Sequence, residues 1–368
     1  MPPPLHYRLG HAATPGGHGG NRRALQMLEL FSRYGLECEV AHDEFAGGQL
    51  TTKIAAVLRG LPPGSGAPVA RFCSLRGMRN YGLIRGIAKS LNVSKSSIVI
   101  FDSFVCAYST LFNDIQKRGG KIVVIPQNLD SLSPSFRHPI SNFVSPRWLK
   151  SEIAALSNAD LVCCISREEQ WLLSLYGIDA LYLPYEPTQE NKERLLNIRR
   201  LRASQQQDVI LILGTASNAP TLEGMRALLR RSRDLLAASQ GKQIVVIGYG
   251  TEALVPLISD NGAITVLGGV SEEILNAYLV RAKVNLAYQE GATGMLTRTQ
   301  EMLYCGVPTI ANNIAARSYH NVAGVCVVEN IDEMLQILTA DQFADFGAPK
   351  GSEKLELHLV EKIRNLQR

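Results

Sequence analysis

Arg298 and Glu301 stand three residues apart in the run Tyr288-Gln289-Glu290-Gly291-Ala292-Thr293-Gly294-Met295-Leu296-Thr297-Arg298-Thr299-Gln300-Glu301. On a helix that spacing puts a guanidinium and a carboxylate on one face, where they can meet one ligand or pair with each other. Gly291 and Gly294 would be a cost in a purely structural helix, so the run reads as a strand end, a glycine loop and then a helix. Gly306-Val307-Pro308 leads out into a further strand. A guanidinium offers a planar fork of donors suited to phosphate. The nearest acid ahead of the helix is Glu290.

Two other glycine turns could face a ligand. Thr14-Pro15-Gly16-Gly17-His18-Gly19-Gly20-Asn21-Arg22 lies between a short strand, Leu5 to Leu9, and a helix. Backbone N–H groups at such a helix start can approach an anion or a sugar unobstructed. It lacks the Gly-Lys-Ser/Thr of a phosphate-binding P-loop and the third glycine of a dinucleotide fingerprint. Gly248-Tyr249-Gly250-Thr251-Glu252-Ala253 has the G-x-G-x-x-A spacing of that fingerprint. The next strand, however, runs into Gly268 and Gly269 rather than ending on an acid able to hold a ribose hydroxyl. NAD-dependent oxidoreduction is therefore an alternative, disfavoured by that missing acid.

The elements that must position these residues follow from hydrophobic patterning. Short, nearly uniform apolar runs, among them Ile98 to Phe101, Lys121 to Ile125, Leu161 to Ile165, Val209 to Leu213, Gln243 to Ile247 and Ala263 to Leu267, suit strands buried on both faces of parallel sheets. Helical spacings such as Ala24, Leu25, Leu28 and Phe31, closed by Gly35, lie between them. The chain of 368 residues is longer than one hydrophobic core usually supports. The expectation is an α/β protein with an N-terminal domain at 1–186, a polar linker at 187–207, a second domain at 208–350 and a closing helix at 351–368. In open α/β sheets, ligands bind at the carboxyl ends of the strands.

In order and spacing these features resemble the GT-B glycosyltransferases of the family 4 type. The run Gly294 to Ala311 looks like that family's nucleotide-sugar loop. Gly16 to Asn21, Ile125-Pro126-Gln127-Asn128, Glu152 ahead of Asp160 and Ser166, Leu213-Gly214, Gly248-Tyr249-Gly250 and Leu267-Gly268-Gly269-Val270 agree in order. The resemblance implies two Rossmann-like domains facing across a cleft, with Glu301 holding the donor's ribose and Arg298 meeting its diphosphate. It further implies a donor site at Gly19, Gly20, Arg22, Gly214, Thr215, Gly248, Tyr249, Gly269, Val270, Gly291, Thr293, Gly294, Met295 and Leu296, with Gln127 and Asn128 on the acceptor side and Glu290 joining Arg298 and Glu301 as catalytic candidates. The chain departs from the family where Thr293 replaces the first acid of an E-x7-E arrangement. Gly214 to Thr221 lacks the usual Arg and Lys, and Gln127 and Asn128 stand where relatives have a histidine.

The activity implied is sugar transfer from a nucleoside-diphosphate donor to a glycan or lipid-linked acceptor, with retention. Surface polysaccharide or glycolipid assembly is the expected setting. A nucleotide-sugar epimerase and a non-catalytic glycan-binding protein of the same architecture are the closer alternatives. No Asp-x-Asp occurs, which argues against the metal-dependent GT-A class, so neither a cofactor nor an obligatory metal is expected. Seven cysteines without metal-ligand spacing read as reduced core residues in a cytosolic protein. The start lacks a basic-then-apolar leader, and no run reaches the ~20 apolar residues of a membrane span. The stretch between Glu44 and Asp102 is free of acids and rich in Lys and Arg, including Arg79, Arg85 and Lys89. It suggests either an anionic membrane contact or a solvated basic face. Nucleic acid is not expected.

Overall fold

The computed structural model describes residues 5–9, 12–14, 19–42, 97–102, 112, 115–132, 146–258 and 262–368. The basic stretch between Glu44 and Asp102 falls almost entirely outside the described residues, as do residues 15–18 of the first glycine turn. The described residues form two six-stranded sheets in which every strand pairing is parallel. The first contains β1 (Leu5–Leu9), β2 (Cys38–His42), β3 (Ile98–Phe101), β4 (Lys121–Val124), β5 (Leu161–Cys164) and β6 (Ala180–Tyr182), in the order β2-β1-β3-β4-β5-β6. The second contains β7 (Val209–Leu213), β8 (Gln243–Ile247), β9 (Ile264–Gly268), β10 (Ala282–Ala287), β11 (Thr309–Asn312) and β12 (Val325–Val328), in the order β12-β11-β10-β7-β8-β9.

Alternate residues of each strand enter different cores, as the period of two requires. In the first sheet Val99, Phe101, Ile122 and Val124 pack on one face, and Ile98, Ile100, Val123 and Ile125 on the other. In the second, Ile210, Ile212, Ile244 and Val246 share one core, and Val209, Leu211, Val245 and Ile247 share another. These strands are uniformly apolar because each sheet is covered by helices on both sides.

Two helices tie the units together. Residues 187–207, expected as a polar linker, contain a 14-residue helix, Gln189–Arg202, capped by the Thr188 hydroxyl. Its Leu195 and Ile198 are buried against the second sheet. The closing helix, Glu353–Leu366, returns to the first domain, where Leu359, Val360 and Ile363 pack with Tyr7, Met27 and Phe31. Arg33 fixes it there by donating to Glu356 at 2.8 Å.

The strand order reverses between β7 and β10 in the second sheet and between β1 and β3 in the first. At such switch points the loops leaving neighbouring strands part and leave a crevice. The loops at 214–218 and 288–296 leave β7 and β10.

Candidate active site

The glycine loop after β10 runs into α8 (Thr297–Cys305), and the first glycine turn runs into α1 (Gly19–Arg33), numbering the α-helices in chain order with Gln189–Arg202 as α4 and Glu353–Leu366 as α10. The starts of α1 and α8 abut: a Cβ added at Gly19 would lie 3.0 Å from Oγ1 of Thr297. Leu296, at the N-cap of α8, makes no side-chain cap bond. The positive ends of two helix dipoles therefore converge between the domains.

Glu301, on the second turn of α8, is the anion at this junction, and it is 1% exposed. Its Oε2 accepts from Arg298 at 2.9 Å and from Arg22 of α1 at 3.0 Å. Its Oε1 accepts from the Tyr185 hydroxyl at 3.0 Å and from Asn191 of α4 at 3.5 Å. Burial pushes the Glu301 carboxyl upward, but the Arg22 and Arg298 guanidiniums, with the hydrogen bonds from Tyr185 and Arg298, outweigh it and hold the group below the ordinary glutamate value. Burial, reinforced by Glu301, drives the Tyr185 phenol well above its usual range, so it stays a neutral donor. Two guanidiniums thus converge on one carboxylate oxygen.

Leu296, the N-cap of α8, lines a cavity of about 270 Å³ walled also by Asn128 of the first domain and by Asn218, Gln289, Thr293, Met295 and Arg317 of the second, whereas the Glu301 cluster does not line it. Asn128, Thr293, Met295 and Leu296 thus share one cavity. Gln127 turns instead toward α1 and donates to the Gly20 carbonyl at 3.2 Å. Gly214 and Thr215 leave β7 at its rim: the Gly214 N–H donates to the Ile247 carbonyl, and the Thr215 carbonyl accepts from Asn218. The Gly248 N–H donates to the Gly268 carbonyl, and the exposed Tyr249 stands over Gly269. Val270 is half-buried just beyond. Gly291 opens the loop in the left-handed region at φ 69°, and Glu290 is exposed beside Tyr288, whose phenol burial and then Glu290 push upward. The structure therefore joins Arg298, Glu301 and Arg22 in one cluster, and Glu290 stays on the surface.

Gly248-Tyr249-Gly250 leads into a 3-10 turn, Thr251–Leu257, with Pro256 inside it. A dinucleotide fingerprint relies on an α-helix N-terminus there, so this loop lacks the element that would face a pyrophosphate. Among the described residues no three His, Cys, Asp or Glu side chains gather as a metal site, and no helix is long and apolar enough to cross a membrane.

Several site residues escape sequence reading. Tyr185, at the end of the expected 1–186 domain, and Asn191, in the expected linker, both reach Glu301. Glu169, on α3 (Arg167–Leu175), accepts at Oε1 from the N–H groups of Leu129, at 3.0 Å, and Gly294, at 3.1 Å. Arg317 donates to the carbonyls of Gly294 and Thr293, both at 2.9 Å. The buried Glu152 of α2 (Pro146–Leu156) takes the Asp130 and Ser131 N–H groups, which fixes the loop after β4. Glu152 precedes Asp160 in the ordered features read from the sequence. Nothing local marks Glu169, which acts across the domain boundary, or Arg317, whose carbonyl partners lie 23 and 24 residues back in the second domain.

Comparison with known proteins agrees with this architecture. Residues 207–340 match the family described as Glycosyl transferases group 1. A sequence comparison with curated proteins gives no match. Among solved structures, sucrose-phosphate synthase from Thermosynechococcus elongatus superposes with a TM-score of 0.67 at 14% identity, covering 99% of each chain. HepE of Anabaena, solved with UDP and glucose, gives 0.59 at 13% identity over 99% of this chain and 92% of that one. The UDP-GlcNAc 2-epimerase from Methanocaldococcus jannaschii gives 0.56 at 14% identity over 98% and 99%. The chain accordingly has the GT-B fold across its length, with a second domain that matches the glycosyl transferases group 1.

Proposed function

We propose that the chain transfers a sugar from a nucleoside-diphosphate donor to a glycan or lipid-linked acceptor, with retention at the transferred carbon. The observation that carries this reading is the convergence of the α1 and α8 N-termini with Arg22 and Arg298, at the end of a helix whose N-cap, Leu296, lines the switch-point cavity. Departure of a nucleoside diphosphate builds negative charge on the phosphate, and preorganised donors aimed there lower the barrier. The protein then supplies the positive charge itself, and the reading needs no obligatory metal. Glu301 takes the ribose hydroxyls in exchange for its longest contact, that of Asn191 at 3.5 Å. In a retaining transfer the departing phosphate accepts the acceptor's proton. Asn128, which lines the cavity, presents the acceptor from the first domain while Gln127 braces the start of α1, and Tyr249, Gly269 and Val270 border the base.

The test is calorimetry with UDP, GDP, ADP, CDP and dTDP, with NAD alongside and no added metal. Selective binding of one diphosphate, lost in Arg298→Ala and weakened in Glu301→Gln, is the expected result. Normal affinity in a folded Glu301→Gln protein would remove that residue from the donor site. The full-length likeness to an epimerase and Thr293 in place of an acid favour a second reading, conversion of the donor sugar without an acceptor. Incubation of the donor alone separates them, because an isomerised sugar appears only if the chain is an epimerase.

A further inference from the structure

The N-terminus of α3, a first-domain helix, grips the second domain with two consecutive carboxylates. Glu168 accepts from the Ser318 N–H at 2.9 Å and the Ser318 hydroxyl at 3.1 Å. That same hydroxyl accepts from the Arg167 N–H at 2.9 Å. Ser318 sits at φ 65°, a region costly for a side-chain-bearing residue. Glu169, 4% exposed, gathers the N–H of Leu129 from the first domain and that of Gly294 from the second onto one oxygen. Its other oxygen, Oε2, is buried without a hydrogen-bond partner. Gly294 is held from both sides: its N–H meets Glu169, its carbonyl meets Arg317, and its φ is 69°. A Cβ there would stand 3.0 Å from the Gln127 carbonyl oxygen and 3.2 Å from Cβ of Asn128. The glycine loop is therefore docked on the loop after β4, with both lining or bordering the same cavity.

We propose that Glu169 is a positioning residue, an interdomain latch that registers the glycine loop of the second domain against the 127–129 loop of the first. The assignment rests, for its bearing on catalysis, on the glycosyltransferase reading. The latch itself rests only on the geometry. A donor sugar held by the glycine loop is presented to Asn128 only while both N–H groups share Glu169. One Glu169 oxygen bridges the two domains while the other is buried without a hydrogen-bond partner, an arrangement that costs desolvation free energy.

The latch has a sign with respect to pH. Burial raises the Glu169 carboxyl to about 7, against the lowering effects of the Leu129 N–H, Arg317, the Gly294 N–H and Ser166. The groups set around it are Arg317 from the second domain, Cys164 at the end of β5 and Glu168 on its own helix. Asp130 lies on the loop after β4, and the exposed Glu290 lies on the glycine loop. A carboxyl that binds its proton more tightly when docked than when exposed favours the docked state when protonated. Docking is strongest at acid pH and loosens as pH rises from the ordinary carboxylate range through about 7. Near neutrality the latch can thus both close over a donor and release.

Hydrogen exchange on the full chain tests this for 291–296 and 127–129, read as protection factors at pH 5 and pH 8 in the wild type, Glu169→Gln and Glu169→Ala. Wild-type protection of both segments should fall roughly tenfold or more between the two pH values. Glu169→Gln, a permanently uncharged isostere, should keep the acid-side protection at both. Glu169→Ala should lose about tenfold at either pH, with other segments unchanged. The affinity of the wild type's preferred nucleoside diphosphate should stay within about threefold in Glu169→Ala while the transfer kcat falls about tenfold or more, the split expected of a lost register. Unchanged protection in a folded Glu169→Ala protein, or a pH response that survives in Glu169→Gln, overturns the latch. If the wild type binds no nucleoside diphosphate, the glycosyltransferase reading fails and the exchange data alone decide the latch.

Discussion

Glu301 and Glu169 are both almost wholly buried where the two domains meet, yet their surroundings move them in opposite directions. Glu301 faces two guanidiniums and a tyrosine hydroxyl, and opposite charge overcomes its desolvation. Glu169 faces two backbone N–H groups and a more distant Arg317 already occupied with carbonyls, and desolvation wins. A buried carboxyl's character is thus set by whether its partners carry full charges or only dipoles. One site is built to hold an anion constantly. In the other, burial pushes the carboxyl up to about 7.

The largest effect expected from this contrast is on stability. Glu301→Ala removes the carboxylate that Arg22 and Arg298 share and opens a hole in a buried charge cluster, and should cost about 3–5 kcal/mol in urea unfolding. A loss under about 1 kcal/mol would mean the cluster is far better solvated than its burial implies. On the catalytic side, Arg298→Ala removes a donor from the developing phosphate charge and should slow transfer by about a hundredfold to a thousandfold. An unchanged rate in a folded protein would take the diphosphate away from this cluster.

The pH response sharpens the comparison further. Glu169 binds its proton up to about pH 7 when folded and only to about 4.5 when unfolded. As pH rises through that window the unfolded state gives up the proton first, so the folded state loses about 3 kcal/mol. Glu169→Gln should flatten this slope in unfolding free energies measured from pH 4.5 to 8. Glu301 acts oppositely: its contribution is complete above the ordinary glutamate value of 4.5 and is lost as pH falls through its depressed folded value. Curves for Glu301→Gln and Glu169→Gln that lose the same limb would break the contrast. The smallest effect is Gly294→Ala, expected to cost about 1–2 kcal/mol because a side chain at φ 69° is strained and would press on the Gln127 carbonyl oxygen.

Much of the architecture is legible because it is local. Apolar runs such as Val209 to Leu213 announce strands buried on both faces, and glycines break the chain where loops leave the sheet. The pairing of Arg298 with Glu301 follows from a spacing of three on a helix. What is not legible depends on partners far along the chain. The polar composition of 187–207 conceals a helix whose two key side chains, Leu195 and Ile198, find their core only on the second sheet. Likewise the final helix shows an apolar stripe but not the domain it covers.

Sequence by itself determined the α/β repeat, the glycine loops and the candidate anion-binding helix, because periodicity, backbone freedom and helical spacing are properties of neighbouring residues. Only the tertiary structure decided that Arg22, 279 residues away from Glu301, completes the cationic cluster, and that Glu169 takes the N–H of Gly294, 125 residues further on. The physical reason is that charge state and loop register depend on desolvation and on which groups converge in space, and neither is written in the spacing of one segment.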